Sequence, residues 1–384
     1  MLQYSIDNGN TWNDINWGYD NPVTLQVSSG DTVLLRGEDA SLGVFNVMSD
    51  LPIDVEGNYM SLLYGDNFYG QTSFPNGYEG GLFAFRRLAG LTSAENLVLP
   101  ATTLEAYCYQ SMFLDCTNLT TAPSILPATT LAEGCYYYMF AGCTSLTTAP
   151  ELPATTLAES CYASMFQECT NLTTAPSILP ATTLADYCYQ SMFQGCTSLT
   201  TAPELPATTL AESCYASMFQ ECTNLTTAPE LPATTLVYGC YGYMFDYCTS
   251  LTTAPELPAT TIVYGCYWYK FRNCTSLTSA PELPATTLAA YCYQTMFQGC
   301  TSLTTAPELP ATTLANYCYN GMFDGCTNLN YIKCLATYIS AVYCTNYWVN
   351  GVASTGTFVK NSNMSSWTTG VNGIPEGWTV QDAS

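Results

Sequence analysis

The chain contains no histidine and few basic residues. Its 384 residues include 7 Lys and Arg against 30 Asp and Glu, which gives a formal net charge of −23. Without histidine, the chain lacks the commonest general base, the usual partner of serine and cysteine nucleophiles and the commonest transition-metal ligand. The negative charge repels phosphate groups. We therefore expect neither an enzyme nor a nucleic-acid-binding protein, and no cofactor or metal.

Long hydrophobic runs are also absent, although hydrophobic residues make up 48% of the chain. No segment approaches the roughly eighteen consecutive apolar residues of a membrane-spanning helix. The first residues, MLQYSIDNGN, show neither the basic nor the apolar part of an export signal. Membrane insertion is therefore not expected, and no signal peptide is visible, while the apolar residues suffice for a large core.

The dominant feature of the sequence is a repeat. The segment LPATTLAESCYASMFQECTNLTTAP, from Leu152 to Pro176, returns unchanged from Leu205 to Pro229. Nine Cys-x7-Cys pairs follow one another in steps of 26 residues, or 27 where PSILP replaces PELP, and a degenerate copy from Phe85 precedes them. A fixed period of this length predicts a stack of coils in which each coil buries the apolar side chains of its neighbours.

Each coil is predicted to contain a short strand and a helix. The segment from Thr156 to Glu159 matches a helix capping box. Cys161, Met165 and Cys169 then recur every four residues, which is typical of one buried helix face over three turns. The TNLTTA segment that follows is closed by proline and leaves room for a strand of three or four residues.

The unit C-T-x-L-T-T-A-P-x-L-P-A-T-T-L-x-x-x-C-Y-x-x-M-F resembles the BspA-like, or treponemal-type, leucine-rich repeat. The resemblance covers about Leu82 to Cys344 and departs from the family where Ala149 and Pro150 replace the second aliphatic residue of the strand. It implies an α/β repeat fold, a curved leucine-rich-repeat solenoid with a short strand and a helix in each coil. It also implies a surface protein of anaerobic, host-associated bacteria or of their phages.

Both ends of the chain differ from the repeat. Residues 1–81 carry the hairpin signal Asn8-Gly9 and the strand-like segments VTLQV and TVLLRG, which predict a small all-β N-terminal domain. Residues 82–328 form the predicted solenoid. In residues 329–384, the segments GTFVK and GWTV predict a strand-rich C-terminal cap, in which Cys344 and Trp348 are read as out of phase with the repeat.

The twenty cysteines are predicted to be buried thiols that act as small hydrophobic residues. Zinc sites usually use closer pairs such as Cys-x2-Cys and often histidine. Nine equivalent positions also cannot all pair with a neighbour as disulfides. Cys334 and Cys344 are placed outside the regular series, and their redox state stays open.

Two successive coils carry a cluster of aromatic and basic residues that is the candidate binding site. The positions after each Cys-Tyr vary from coil to coil, so we expect them to face solvent. Here they are rich in Tyr, Trp and Arg, which are typical of binding hot spots, and flat rings also suit sugar stacking. The predicted ligand-binding residues are Tyr238, Tyr243, Tyr247, Tyr264, Trp268, Tyr269, Lys270 and Arg272. The alternative is that these are drifted surface positions in which the Lys270 stem is buried and its ammonium reaches solvent.

The glutamates of the PELP segments are predicted to form a column of solvated carboxylates. They are not expected to bind calcium, since a calcium site needs oxygens that converge from different positions.

Taken together, these features predict a non-catalytic adhesion or recognition protein on a phage virion, as a tail or decoration protein, or on a bacterial cell surface. Its expected partner is a surface glycan or protein of a host cell. The alternative is a structural fibre or spacer subunit that self-associates through its ends or binds other virion proteins.

Overall fold

The computed structural model describes residues 2–15, 23–37, 47–49, 51–75, 84–365 and 367–383. Regular secondary structure lies mainly at the two ends of the chain. The strands are β1 (Leu2–Ser5), β2 (Asn13–Asp14), β3 (Leu34–Gly37), β4 (Ile53–Asp54), β5 (Gly57–Asn58), β6 (Leu91–Ser93), β7 (Leu97–Val98), β8 (Tyr331–Cys334), β9 (Thr357–Lys360) and β10 (Thr379–Asp382). One α-helix, α1 (Ser61–Tyr64), is followed by a 3-10 helix at Gly65–Asn67.

The threonine-rich side of each coil pairs with its neighbours through single parallel bridges. Thr148 pairs with Thr174, for example, and Thr201 with Thr227. The hydroxyl of Thr173 also donates to the carbonyl of Thr147 in the coil before it. The predicted strand of three or four residues is therefore reduced to a bridge, because the proline that follows has no N–H to extend the ladder.

The predicted three-turn helix is wrong: the repeat contains no α-helix in the described residues 84–365. Its place is taken by a ribbon of overlapping turns. Ser160, Ser164 and Glu168 have φ values of 52°, 53° and 59°, and a left-handed residue at every fourth position interrupts any α-helix. This ribbon repeats every four residues, so it buries the same positions as the predicted helix face would.

Backbone hydrogen bonds in the ribbon alternate between two directions. The N–H of Ala163 donates within its own turn to the carbonyl of Ser160, whereas the N–H of Tyr162 donates to Cys188 in the next coil. Every second amide thus joins one coil to the next. The buried tyrosine and phenylalanine rings at equivalent positions of successive coils lie 5.1–6.1 Å apart. Packed α-helices need about 8–10 Å between axes, so helices do not fit at this spacing.

The core consists of side-chain columns that run along the stack. In each Cys-x7-Cys coil the first cysteine, the tyrosine after it, the phenylalanine and the second cysteine are buried, and so is the methionine, whose place Lys270 takes in one coil. Adjacent tyrosine and phenylalanine rings are stacked nearly parallel along most of the repeat, as Tyr136 and Tyr162 are, at 5.5 Å and 4°. A single coil shares its apolar surface with both neighbours, so its stability depends on them.

All twenty cysteines are buried and free, which confirms the predicted ladder of thiols. The second thiol of each coil has a specific partner. Cys169 Sγ donates to the carbonyl of Phe140 in the preceding coil at 3.1 Å, and Cys196 Sγ donates to Phe166 at the same distance. Burial raises the pKa of the Cys116 thiol to about 12. The raised pKa keeps the thiol protonated, and only the protonated thiol can donate a hydrogen bond to a carbonyl.

The native chain is therefore expected to be almost unreactive toward a thiol reagent. Burial blocks access, and the raised pKa values suppress the nucleophilic thiolate. Titration with Ellman's reagent should detect all twenty thiols in denaturant and almost none within minutes in buffer. Rapid native labelling of many thiols would contradict the buried ladder.

The N-terminal segments form a small sheet of order β2-β1-β3, with both pairs antiparallel. The predicted hairpin is present, with Asn8 at φ 59° and Gly9 at φ 83°, but its second strand begins at Asn13 rather than Thr11. TVLLRG contains β3, as predicted. VTLQV is not a strand, and its end residues Val23 and Val27 are exposed.

A further coil lies upstream of the degenerate one. Strand β4 pairs in parallel with β6, and β5 pairs in parallel with β7. The N–H of Tyr59 donates to the carbonyl of Val98, and the Tyr59 ring packs edge-on against Tyr109. Residues 51–60 thus extend the same pattern of coil-to-coil pairing toward the N terminus.

The C-terminal region continues the stack, and the reading of Cys344 and Trp348 as out of phase is wrong. Cys344 follows Cys318 by 26 residues, and the N–H of Tyr319 donates to its carbonyl. Trp348 occupies the methionine position of this coil and is fully buried. Strands β8, β9 and β10 form a parallel sheet in the order β10-β9-β8, so GTFVK and GWTV do contain strands as predicted.

Candidate functional site

The candidate residues lie on the ribbon of turns in the coils that begin at Cys240 and Cys266. Within each ribbon, the tyrosine after the first cysteine points inward, as Tyr241 and Tyr267 do. Residues two positions before that cysteine and three positions after it lie at the surface, as does Trp268, which is two positions after Cys266. Tyr238, Tyr247 and Tyr264 are 42–44% exposed, and Tyr243, Trp268, Tyr269 and Arg272 are half-buried.

Lys270 does not belong to this surface, which corrects both readings made from the sequence. Its side chain is completely buried. The ammonium nitrogen lies 3.5 Å from Met244 Sδ and 4.3 Å from the centroid of the Tyr241 ring. Three further aromatic rings surround it, those of Phe245, Tyr267 and Phe271. Burial lowers the pKa of Lys270 from 10.5 to about 7.

Arg272 forms a bidentate ion pair with Asp246 of the preceding coil. The Nε–Oδ1 distance is 2.8 Å and the NH2–Oδ2 distance is 2.6 Å. The Asp246 side chain is fully buried, and Gln220 also donates to it. Desolvation raises the pKa of Asp246, and the Arg272 guanidinium opposes that rise. Sequence reasoning missed this buried partner, although Asp246 stands 26 residues before Arg272 in the same column, which holds glutamine in four of the nine coils.

The guanidinium of Arg272 also lies over a group of tyrosine rings. Its central carbon is 5.0 Å from the centroid of Tyr269, 5.4 Å from Tyr247 and 5.9 Å from Tyr243. Tyr243 and Tyr269 are themselves stacked at 4.5 Å and 5°. Arginine therefore holds this part of the aromatic surface in place, and its charge is already compensated by Asp246.

Trp268 lies at the centre of the cluster. Its ring centroid is 6.2 Å from each of the tyrosines Tyr238, Tyr243 and Tyr264, with interplanar angles of 63–72°. Tyr238 and Tyr264 are stacked on each other at 5.5 Å. The structure thus brings together seven of the eight predicted residues and excludes Lys270.

A surface row of aromatic rings, in which Tyr291 and Tyr317 are half-buried and Tyr343 is exposed, continues beyond the predicted site. Tyr264 is followed by a series of rings in successive coils, with centroids 4.6–5.3 Å apart: Tyr291, Tyr317 and Tyr343. Sequence reasoning missed these three, because they precede the first cysteine by one position whereas Tyr238 and Tyr264 precede it by two. A comparison of both positions across all coils would have revealed them.

The same row is acidic in the earlier coils. The residue two positions before the first cysteine is, in order, Glu133, Glu159, Asp186 and Glu212. The first three are exposed, and Glu212 accepts a hydrogen bond of 2.6 Å from the hydroxyl of Tyr187. The surface row therefore carries acids up to Glu212, with Tyr107 and Tyr187 among them at the position next to the cysteine, and continues with tyrosines and without acids from Tyr238 onward.

The opposite side of the coils has simpler chemistry. The glutamates of the PELP segments are all exposed, as expected for solvated carboxylates, and Glu308 pairs with Lys333 at 2.9 Å. A cleft of about 330 Å³ lies at the second PSILP segment, lined by Thr174, Ser177 and Glu204 among others. Among the residues that the structure describes, no cluster of acidic or cysteine side chains could hold a metal ion.

No helix within the described ranges is both long and apolar enough to span a membrane.

Comparison with known proteins places the repeat in a family. The description "BspA type Leucine rich repeat region (6 copies)" matches residues 110–252, 180–279 and 241–347, which together cover more than half of the chain. The chain is also similar to the crystal structure of a leucine-rich repeat protein from Bacteroides ovatus, with 15% identity, 95% of this chain and 100% of that chain covered, and a TM-score of 0.31. No curated protein matches it. On the family match, this chain belongs to the BspA-type leucine-rich-repeat proteins.

Proposed function

We propose that this chain is a non-catalytic recognition protein that binds a glycan or protein on the surface of a host cell. The observation that carries the proposal is the surface row of aromatic rings from Tyr238 to Tyr343, with Trp268 packed against its first two members, Tyr238 and Tyr264. Exposed aromatic side chains of this density are typical of binding surfaces rather than of inert ones. Leucine-rich repeats in general serve protein interaction, which supports this reading.

The proposal extends to the architecture and the location. The coils form one curved solenoid with a small β-rich N-terminal domain in residues 1–81, a repeat region from 82 to 328 and a C-terminal cap in 329–384. Two observations support coil-to-coil pairing across both boundaries. Residues 51–60 pair with β6 and β7, and the coil around Cys344 pairs with the coil before it. BspA-type repeats are typical of surface proteins, so the protein acts on a cell surface or on a phage virion as a tail or decoration protein.

The test is binding of the fluorescently labelled full chain to a glycan array and to an array of host surface proteins. We expect specific binding that falls about tenfold or more in Trp268→Ala and Tyr243→Ala, which is typical of hot-spot residues. Tyr338→Ala is the matched control, because Tyr338 is 58% exposed but stands outside the aromatic row. Binding that is absent in the wild type, or equal in all four proteins, would contradict the proposal.

A structural role is the alternative, and one observation favours it. Strand β10 is the outer strand of the C-terminal sheet, and all four of its residues are exposed, including Val380 at 45%. An exposed outer strand can pair with a second copy of the chain. Oligomers that grow with concentration on size exclusion, and that disappear in Val380→Lys, would identify a fibre or spacer subunit.

A further inference from the structure

The indole of Trp268 rests directly on the backbone of two coils. A Cβ atom at Gly242 would lie 2.1 Å from Trp268 Nε1, and one at Gly265 would lie 3.2 Å from Cδ2. Gly242 does not have a positive φ, so its backbone does not require glycine. The equivalent positions of other coils hold Ala216 and Gln294. The indole of Trp268 occupies the space that a side chain at position 242 would need, which explains the glycine there.

Tyrosine rings stand on both sides of this indole. Tyr238 and Tyr264 precede the first cysteine of their coils and form one stacked pair, while Tyr243 follows the cysteine and stacks on Tyr269. The rings of the first pair are inclined to the indole by 70° and 72°, and that of Tyr243 by 63°. Trp268, with these tyrosines, forms an aromatic trough that has an indole floor and tyrosine walls.

The charge around the trough favours a cation. The acidic part of the surface row ends at Glu212, one coil before Tyr238. The nearest guanidinium, that of Arg272, is neutralised by its bidentate pair with Asp246. The same guanidinium lies 5.0 Å from the Tyr269 centroid, so one wall of the trough already holds a cation against a ring. The other basic side chain of these coils, Lys270, is buried. The chain as a whole has a formal net charge of −23, so several π faces at its surface attract a positive charge.

We propose that the aromatic trough binds a quaternary or methylated ammonium group, such as a choline head group. This inference rests on the proposed recognition function and names the chemistry of its ligand. A quaternary ammonium group has no N–H, so it needs no hydrogen-bond acceptor from the protein. Ring faces can hold it through their attraction for its charge. The ammonium group would be carried by the surface glycan or protein that the chain recognises. Arg272 and Asp246 are already bonded to each other, so the ring faces make the contact.

The experiment is a calorimetric titration of the full chain with choline and with tetramethylammonium. The uncharged isostere of choline, 3,3-dimethylbutan-1-ol, is the matched probe for the charge. We expect saturable binding of both cations and none of the neutral alcohol. Trp268→Ala and Gly242→Ala should each weaken binding by about tenfold, the second because its methyl group displaces the indole while every ring is retained.

Two controls keep the outcomes distinct. Tyr338→Ala should bind like the wild type, and circular dichroism should show that each variant is folded. The inference is overturned if the cations do not bind, if the neutral alcohol binds equally, or if Gly242→Ala leaves the affinity unchanged. Should the chain bind glycans or proteins on the arrays without competition from choline, the recognition function stands and the ammonium ligand is wrong. Absence of all binding on the arrays contradicts the recognition function itself.

Discussion

Replacement of Lys270 by methionine is expected to raise the free energy of unfolding by about 3–5 kcal/mol at pH 6–7. Methionine is the residue at this position in most other coils, and there it is fully buried. The ammonium of Lys270 is enclosed by four aromatic rings and the Met244 sulfur. Folding must therefore either remove its proton or bury its charge, and both cost free energy.

This gain should depend on pH in a defined direction. The pKa of Lys270 is about 7 in the folded chain and 10.5 as an ordinary lysine, so the unfolded chain binds the extra proton between these values. The stability of the wild type therefore rises with pH across this window, and the cost of Lys270 is largest below pH 7. The difference between Lys270→Met and wild type should shrink steadily from pH 7 to pH 10.5.

Denaturant unfolding at pH 6, 8 and 10 measures this difference. Lys333→Met is the control, since Lys333 is at the surface and pairs with Glu308. Exposed ion pairs contribute little to stability, so we expect the control to unfold like the wild type. A gain that does not vary with pH would show that folding leaves the pKa of Lys270 unshifted, so that the gain comes from side-chain packing alone. No gain at pH 6 would show that the ammonium reaches solvent after all.

Replacement of Arg272 by methionine is expected to destabilise the fold by about 3–5 kcal/mol at pH 7. The change leaves the fully buried Asp246 carboxylate with only the Gln220 amide as a side-chain donor. Desolvation already raises the pKa of Asp246 in the wild type, and loss of the guanidinium raises it further. Because the folded variant then binds a proton more readily than the unfolded chain, the loss should become smaller as the pH falls toward 5.

A double-mutant cycle separates the ion pair from the packing of the side chains. Asp246→Asn combined with Arg272→Met removes both charges and should recover most of the stability lost in Arg272→Met alone. Arg87→Met is the matched control, because the Arg87–Asp115 pair is exposed, and we expect a change below about 1 kcal/mol. If Arg272→Met and Arg87→Met have equal effects, burial of Asp246 is not the cause.

The helix prediction shows where sequence periodicity is ambiguous. Cys161, Met165 and Cys169 recur every four residues, which is the spacing of a helix face. A ribbon of turns with a left-handed residue at every fourth position buries the same residues. The capping-box match at Thr156 to Glu159 did not distinguish the two structures either, because here the same residues precede a ribbon of turns. The distance between neighbouring coils decides between a helix and a ribbon of turns, and that distance is set by how the coils pack, not by the sequence of one coil.

The surface position of the candidate residues was predicted in part. Variation between copies correctly identified surface positions such as Tyr238 and Trp268, because packing constrains only inward-facing residues. The same logic failed for Lys270, whose chemistry indicated an exposed residue while its column is buried. It also failed for Asp246, since the sequence around an aspartate does not show which basic side chain of the next coil will pair with it. Both errors concern contacts between residues 26 apart.

The sequence by itself determined the repeat, its period, the buried thiols and the family, because a fixed step of 26 residues repeats every local choice of side chain. Only the tertiary structure decided that turns replace helices, that Lys270 is inside, and that Trp268 rests on Gly242 between tyrosine rings. These features arise between coils, where a spacing of 5–6 Å sets which backbone can fit and which side chains meet.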